Sequence, residues 1–142
     1  MAKEKEFFGL HHLSINVPDR EEAIKFYTEA LGFKLEFRFD YPYPDGGCDR
    51  NSFVSQNGVM VELIEINGVT DPAPTALATN NHFALYVKDI DKVIARLKDD
   101  PRCKLEADNY VIIDDFGSER LKSIMVRGIA GERIELLEVE DL

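Results

Sequence analysis

Gly131–Val139, GERIELLEV, and Asn57–Ile66, NGVMVELIEI, decide how this chain is read. At a strand period of two, the first stretch sends Arg133, Glu135, Leu137 and Val139 to one face and Ile134, Leu136 and Glu138 to the other. Glu135 therefore stands in mid-strand among apolar neighbours, where a carboxylate must be hydrogen-bonded, paired, protonated or bound to a metal. The second stretch repeats the arrangement: Gly58 precedes Glu62 by four residues, as Gly131 precedes Glu135. Two matching strands with an inward glutamate imply an internal duplication built around a polar site.

Working outward, each glutamate strand has a histidine strand to match it. In Gly9–Val17, GLHHLSINV, Leu13, Ile15 and Val17 share one face and His12, Ser14 and Asn16 the other. In NHFALYV, Phe83, Leu85 and Val87 oppose His82, Ala84 and Tyr86. Both strands run into a helix. Pro18 breaks the first ladder, Asp19 caps a helix predicted to reach Leu31, and Gly32 closes it; Ile90, Val93, Ile94 and Leu97 form the apolar stripe of the second helix. The reading is α+β: paired βαβββ modules, about residues 9–67 and 80–139, within one domain spanning 1–142, with about eight strands and two main helices.

The connections are less regular. Asn57-Gly58 is a strong hairpin signal between SFVSQ and VMVELIEI. Asp40–Asn51, DYPYPDGGCDRN, is dense in turn residues and reads as a loop bordering a binding site; Gly68–Asn80 reads as a Pro- and Thr-rich connector. Phe33, Phe37 and Phe39 in the strand after Gly32 are candidates to line a cavity.

Composition sets the limits. A chain of 142 residues with net charge −10 argues against nucleic acid or an anionic membrane as the main partner and leaves small molecules. Without a long apolar run or a cleavable leader pattern, the expected location is the cytoplasm. Two cysteines, Cys48 and Cys103, lack metal-finger spacing.

His12, Glu62, His82 and Glu135 occupy equivalent positions in the two modules, and together they offer imidazole and carboxylate ligands to a divalent metal. That donor set suits nickel, cobalt, zinc, manganese or ferrous iron alike.

From LHHLSINVPDREEAIKFYTEALGFKL through NGVMVELIE and NHFALYVKDID to GERIELLE, the chain resembles the vicinal oxygen chelate superfamily of glyoxalase I, bleomycin-resistance proteins and extradiol dioxygenases. The resemblance implies modules closing into a cup-shaped sheet around one divalent metal per site, with ligands at His12, Glu62, His82 and Glu135. Lactoylglutathione lyases are the most similar members, because epimerases of the family tend to carry glutamine at the position of Glu62. The implied activity is that of a metal-dependent glyoxalase I-like lyase or isomerase. It would work through a metal-bound enediolate on a small alpha-oxo or thiol-adduct substrate, with Glu135 or Glu62 as base. Alternatives are a methylmalonyl-CoA epimerase-like isomerase, a fosfomycin-type thiol transferase, an extradiol dioxygenase, and a drug-sequestering protein without catalysis. Asn16 stands where glutathione-accepting glyoxalases usually have a basic residue. The modules pair within one chain or across a homodimer. Glu65 and Glu138, three residues beyond the candidate ligands, are expected to be solvated charges, and His11 to face away from the site.

Overall fold

Alternating polarity along the chain becomes strand, and the 3.6-residue stripes become helix, in a computed structural model that describes residues 11–68, 82–116 and 119–140. The chain divides into two compact units, Met1–Val69 and Thr70–Leu142. Neither Gly9–Leu10, at the start of the expected first strand, nor the expected connector beyond Gly68 lies within the described residues.

In the first unit β1 (Leu13–Asn16) leads into α1 (Arg20–Lys25), followed by β2 (Lys34–Pro42), β3 (Cys48–Gln56) and β4 (Val59–Glu65). Asp19 caps α1 by accepting the Glu22 N–H at 2.9 Å. The helix continues as a π-helical turn over Phe26–Ala30, and Gly32, at φ +74°, ends it in the left-handed conformation. The sheet order is β1-β4-β3-β2, with β1 parallel to β4 and the other pairs antiparallel. Helix α1 packs on β3 and β4, enclosing Ala23, Phe26, Tyr27, Val54, Val61 and Leu63 in a core where each of these is fully buried. Each large member contributes roughly 1.5–3 kcal/mol relative to its exposed state. Asn57 (φ +48°) and Gly58 (φ +87°) form the β3–β4 turn that the sequence predicts.

The second unit runs β5 (His82–Tyr86), α2 (Ile90–Leu97), β6 (Lys104–Leu105), β7 (Val111–Phe116), β8 (Glu119–Arg127) and β9 (Arg133–Val139). Asp89 caps α2 through the Lys92 N–H at 3.2 Å, and the expected stripe buries Ile90, Ile94 and Leu97. The sheet order is β5-β9-β8-β6, with β7 also paired to β8 and β5 parallel to β9. Helix α2 packs on β9. The α+β architecture is as expected, with nine strands among the described residues rather than about eight. The difference arises because Glu106–Tyr110 divides what the sequence presents as one strand into β6 and β7. No helix among the described residues is long and apolar enough to cross a membrane.

Two expectations are corrected. Asp40–Asn51 is not a loop: β2 and β3 stay in register through Tyr41↔Asp49 to Pro42↔Cys48, and the connection shrinks to residues 43–47. Pro42 is tolerated because β2 is an edge strand, where a missing N–H leaves no neighbour unpaired. The Tyr43 N–H donates to the Gly47 carbonyl at 2.7 Å, and the Tyr43 hydroxyl to Asp49 at 2.5 Å, closing the tip. Phe33 does not join Phe37 and Phe39, because a register shift between Leu35 and Phe37 resets the alternation. Phe33 is buried against Tyr27, with ring centroids 5.4 Å apart.

Candidate functional site

The register of the first sheet puts Ser14, Phe53 and Glu62 on the face away from α1, and His12, one residue before β1, meets Phe53 and Glu62 there. Ser14 pairs with Glu62 across the parallel β1–β4 ladder, and Phe53 with Glu62 across β3–β4. His12 Nε2 lies 3.4 Å from Glu62 Oε1, and the Ser14 hydroxyl donates to that same oxygen at 2.8 Å. Only 15% of the Glu62 side chain is exposed. The His12 ring meets Phe53 edge-on at 5.2 Å, and Phe53 stacks on Phe37 at 4.5 Å. Phe37, Phe39 and Tyr41 share that face at every second residue of β2, each about half exposed.

The second sheet builds a matching pair. Glu135 on β9 lies beside Ala84 of β5 and Met125 of β8, on the face away from α2. His82 Nε2 is 3.3 Å from Glu135 Oε1, with 39% and 17% of the two side chains exposed. Here the serine comes from a different strand: the Ser123 hydroxyl of β8 donates to Glu135 Oε2 at 2.6 Å. The structure thus brings the four sequence-predicted residues together as two His–Glu pairs. Among the described residues, no group of three or more His, Cys, Asp or Glu side chains is gathered to hold a metal by itself.

Within its own unit, each pair has the donor types and spacing of two adjacent metal ligands. Ligand atoms about 2.1 Å from a metal lie roughly 3.0–3.4 Å apart when they occupy adjacent positions. The imidazole nitrogens and carboxylate oxygens have that spacing, and each carboxylate has a fixed hydroxyl partner of the kind that orients metal ligands.

His11, Cys48, Glu65, Glu138 and four basic side chains find other roles. His11 is exposed, but its Nδ1 lies 2.8 Å from Nδ1 of His12, leaving His12 Nε2 on the Glu62 side. Arg38 pairs with Glu21, Arg50 with Glu65 at 3.8 Å, Lys122 with Glu138 at 3.2 Å, and Arg127 with Glu106 at 3.7 Å. Cys48 opens β3 opposite Pro42. Glu65 and Glu138 do lie on the opposite face from Glu62 and Glu135, but they are not simply solvated: Glu65 accepts the Arg20 N–H at 2.7 Å and Glu138 the Ile90 N–H at 3.1 Å. Each holds the first turn of its own unit's helix, where the helix dipole favours a carboxylate. The ELIE and ELLE repeat carried that signal. Ser123 is visible only once the β8–β9 register is known, because twelve residues separate it from Glu135.

Comparison with known proteins places these features in context. A family model described as the glyoxalase/bleomycin resistance protein/dioxygenase superfamily matches residues 11–102. A glyoxalase family protein from Bacillus cereus aligns over 98% of this chain and 99% of its own, with a TM-score of 0.71 and 21% identity. The trypanothione-dependent glyoxalase I of Leishmania major covers 89% of this chain and 84% of its own, at a TM-score of 0.64 and 26% identity. The fosfomycin resistance protein FosX of Listeria monocytogenes, complexed with Mn(II) and sulfate ion, matches over 93% of both chains at a TM-score of 0.66 and 15% identity. No curated protein sequence matches the chain.

Proposed function

Since the chain belongs to the glyoxalase/bleomycin resistance protein/dioxygenase superfamily, we propose that it is a metal-dependent glyoxalase I-like lyase or isomerase acting on a small alpha-oxo or thiol-adduct substrate. His12, Glu62, His82 and Glu135 would together hold one divalent metal. The carrying observation is the recurrence, at equivalent strand positions in both units, of a His–Glu pair at 3.4 and 3.3 Å with a serine fixed on the carboxylate. The two units act as one functional domain, each supplying one pair, from a single chain or from two copies in a homodimer.

When bound, the cation would act as a Lewis acid on a substrate carbonyl and make the neighbouring C–H acidic. The chain's own residues do the rest. A glutamate beside that carbon takes the proton and returns it to the adjoining carbon, and the serine hydroxyls hold the carboxylates in place. Asn16, on the same face of β1 as Ser14, offers no charge to a substrate carboxylate. The aromatic row of Phe37, Phe39 and Tyr41 supports a substrate with an apolar substituent.

The test is isomerisation followed by NMR in heavy water. Metal-loaded protein is given methylglyoxal adducts of glutathione and of smaller thiols, and 2-methyl acyl-CoA thioesters, with product and deuterium uptake both measured. Metal-dependent product from a thiol adduct supports the proposal. Turnover of the acyl-CoA alone would make the chain an epimerase. Inactivity on all of these, together with catechol ring cleavage or thiol addition to an epoxide, would overturn the proposal in favour of the other branches. Tight binding of aromatic compounds without turnover would mark a sequestering protein.

A further inference from the structure

Arg133 stands at the start of β9, on the same face as Glu135 and directly across from His82 in the β5–β9 ladder. Two residues along a strand span roughly 7 Å and paired strands lie about 4.8 Å apart, so Arg133 is a close neighbour of both members of its unit's pair. On its other flank it faces Arg127 of β8, a like-charged cross-strand pair that is unfavourable alone. Glu106 offsets that repulsion. Tied to β8 by its N–H on the Met125 carbonyl at 2.9 Å, it accepts from Arg133 Nε at 2.7 Å and lies 3.7 Å from Arg127 Nη2. The two guanidiniums are not equally committed. Arg127 gives Nη1 to the Gly131 carbonyl at 3.1 Å and turns Nη2 to Glu106. Arg133 is held through Nε alone, and its Nη1 and Nη2 have no partner among the described residues. Arg38, Arg102 and Arg120, by contrast, each put at least one terminal nitrogen on a carboxylate. With 29% of its side chain exposed, Arg133 presents two open donors on a tethered guanidinium.

We infer that Arg133 is a specificity-determining residue whose terminal nitrogens bind a carboxylate carried by the substrate close to its reacting carbonyl, so that the protein selects compact acidic substrates. This rests on the isomerase reading above and uses residues of the second unit alone. Two parallel N–H donors at the end of a guanidinium match the two oxygens of a carboxylate, and the Nε bond to Glu106 orients that fork before a ligand arrives. Because Arg133 neighbours both His82 and Glu135, a carboxylate held there lies only a few bonds from a carbonyl held beside the pair. The adduct of a short acidic thiol has that spacing, whereas the adduct of a neutral thiol offers the fork nothing. The hydrogen bond to Glu106 above all, with the charge of Glu135 adding to it, holds the guanidinium's affinity for its proton above the ordinary value. In a chain of net charge −10, this tethered cation also makes its face the favourable one for an acidic ligand to approach.

The experiment compares the methylglyoxal adducts of mercaptoacetate, which carries a carboxylate, and of 2-mercaptoethanol, which is neutral and of similar length. Both are given to metal-loaded wild type, Arg133→Gln, Arg133→Lys and Arg127→Gln. Wild type should favour the acidic adduct at least about tenfold in kcat/KM, as a charge-assisted fork allows. Arg133→Gln should lose that preference through KM with kcat largely kept, and Arg133→Lys, which keeps the charge but not the fork, should retain part of it. Arg127→Gln should stay within about threefold of wild type. A second readout needs neither turnover nor a variant: in metal-free full-length protein, the Arg133 Nε–H signal should shift saturably in NMR spectra on adding (methylthio)acetate and stay in place on adding its methyl ester. Equal treatment of the two adducts by wild type, or an acid preference that survives in Arg133→Gln, would overturn the inference while leaving the isomerase reading intact. If no adduct turns over, the isomerase reading fails and the NMR titration decides alone: a saturable shift upholds the carboxylate site, and an unmoved Arg133 signal overturns it.

Discussion

Glu138 holds the start of α2 by accepting the Ile90 N–H at 3.1 Å, and its side chain is only 20% exposed. Replacing it with alanine leaves a helix N-terminal donor without its charged acceptor. Hydrogen bonds to charged groups contribute about 1.5–3 kcal/mol, and losing a helix cap costs about 0.5–2 kcal/mol. The 3.1 Å length and partial exposure place Glu138→Ala near 1.5–2 kcal/mol on that scale. At about 4 °C per kcal/mol for a chain of this size, Tm should fall by about 6–8 °C. Glu138→Gln keeps a carbonyl acceptor for Ile90 and should lose about half as much. Glu65→Ala, which removes the shorter 2.7 Å bond from Arg20, should cost at least as much as Glu138→Ala. The assay is thermal unfolding followed by circular dichroism at neutral pH, with denaturant titration to obtain free energies. A Glu138→Ala protein melting within about 1 °C of wild type, or equal losses in the Ala and Gln variants, would refute the helix-anchoring argument.

Three further outcomes are expected. Arg102 donates to Asp100 through its backbone and side chain and holds that carboxyl below its ordinary value of 3.8. This stabilisation is therefore present above that value and lost as pH falls through the folded value, so acid unfolding of Asp100→Asn should be less steep with pH than that of wild type. Gly58, at φ +87° in the β3–β4 turn, should cost about 1–2 kcal/mol when changed to Ala, read as a lower denaturant midpoint with unchanged slope. Phe37→Ala removes the outer ring of the stack on Phe53 and should raise KM for a verified substrate several-fold while metal content stays constant; unchanged kinetics would remove the aromatic row from the site.

The strand faces were legible in the sequence because a period of two survives wherever one face is buried. His12, Glu62, His82 and Glu135 could all be assigned to the faces away from the helices before any register was known. Turn chemistry was equally legible at Asn57-Gly58 and Gly32, whose positive φ values demand those residue types. What failed was local composition as a guide at an edge. Pro42 and the Asp-Gly-Gly run resemble a long loop, but an edge strand accommodates proline and the hairpin needs only residues 43–47 to turn. The β2 bulge was invisible because one inserted residue changes no composition, yet it separates Phe33 from Phe37 and Phe39. Glu65 and Glu138 were misread as solvated because their partners, the Arg20 and Ile90 backbone N–H groups, lie 45 and 48 residues away. The grip of Ser123 on Glu135 depends on a cross-strand register that hydrophobic pattern does not report.

The most direct test of the central claim, that both His–Glu pairs serve one metal, is the metal stoichiometry of purified protein by elemental analysis after equilibration with a divalent cation. Wild type should hold about one metal per chain whether the pairs come from one copy or two. Replacing either pair, as His12→Ala with Glu62→Ala or His82→Ala with Glu135→Ala, should abolish binding in both cases. Two metals per chain with one surviving the loss of either pair would contradict the claim, as would metal content that neither double variant changes.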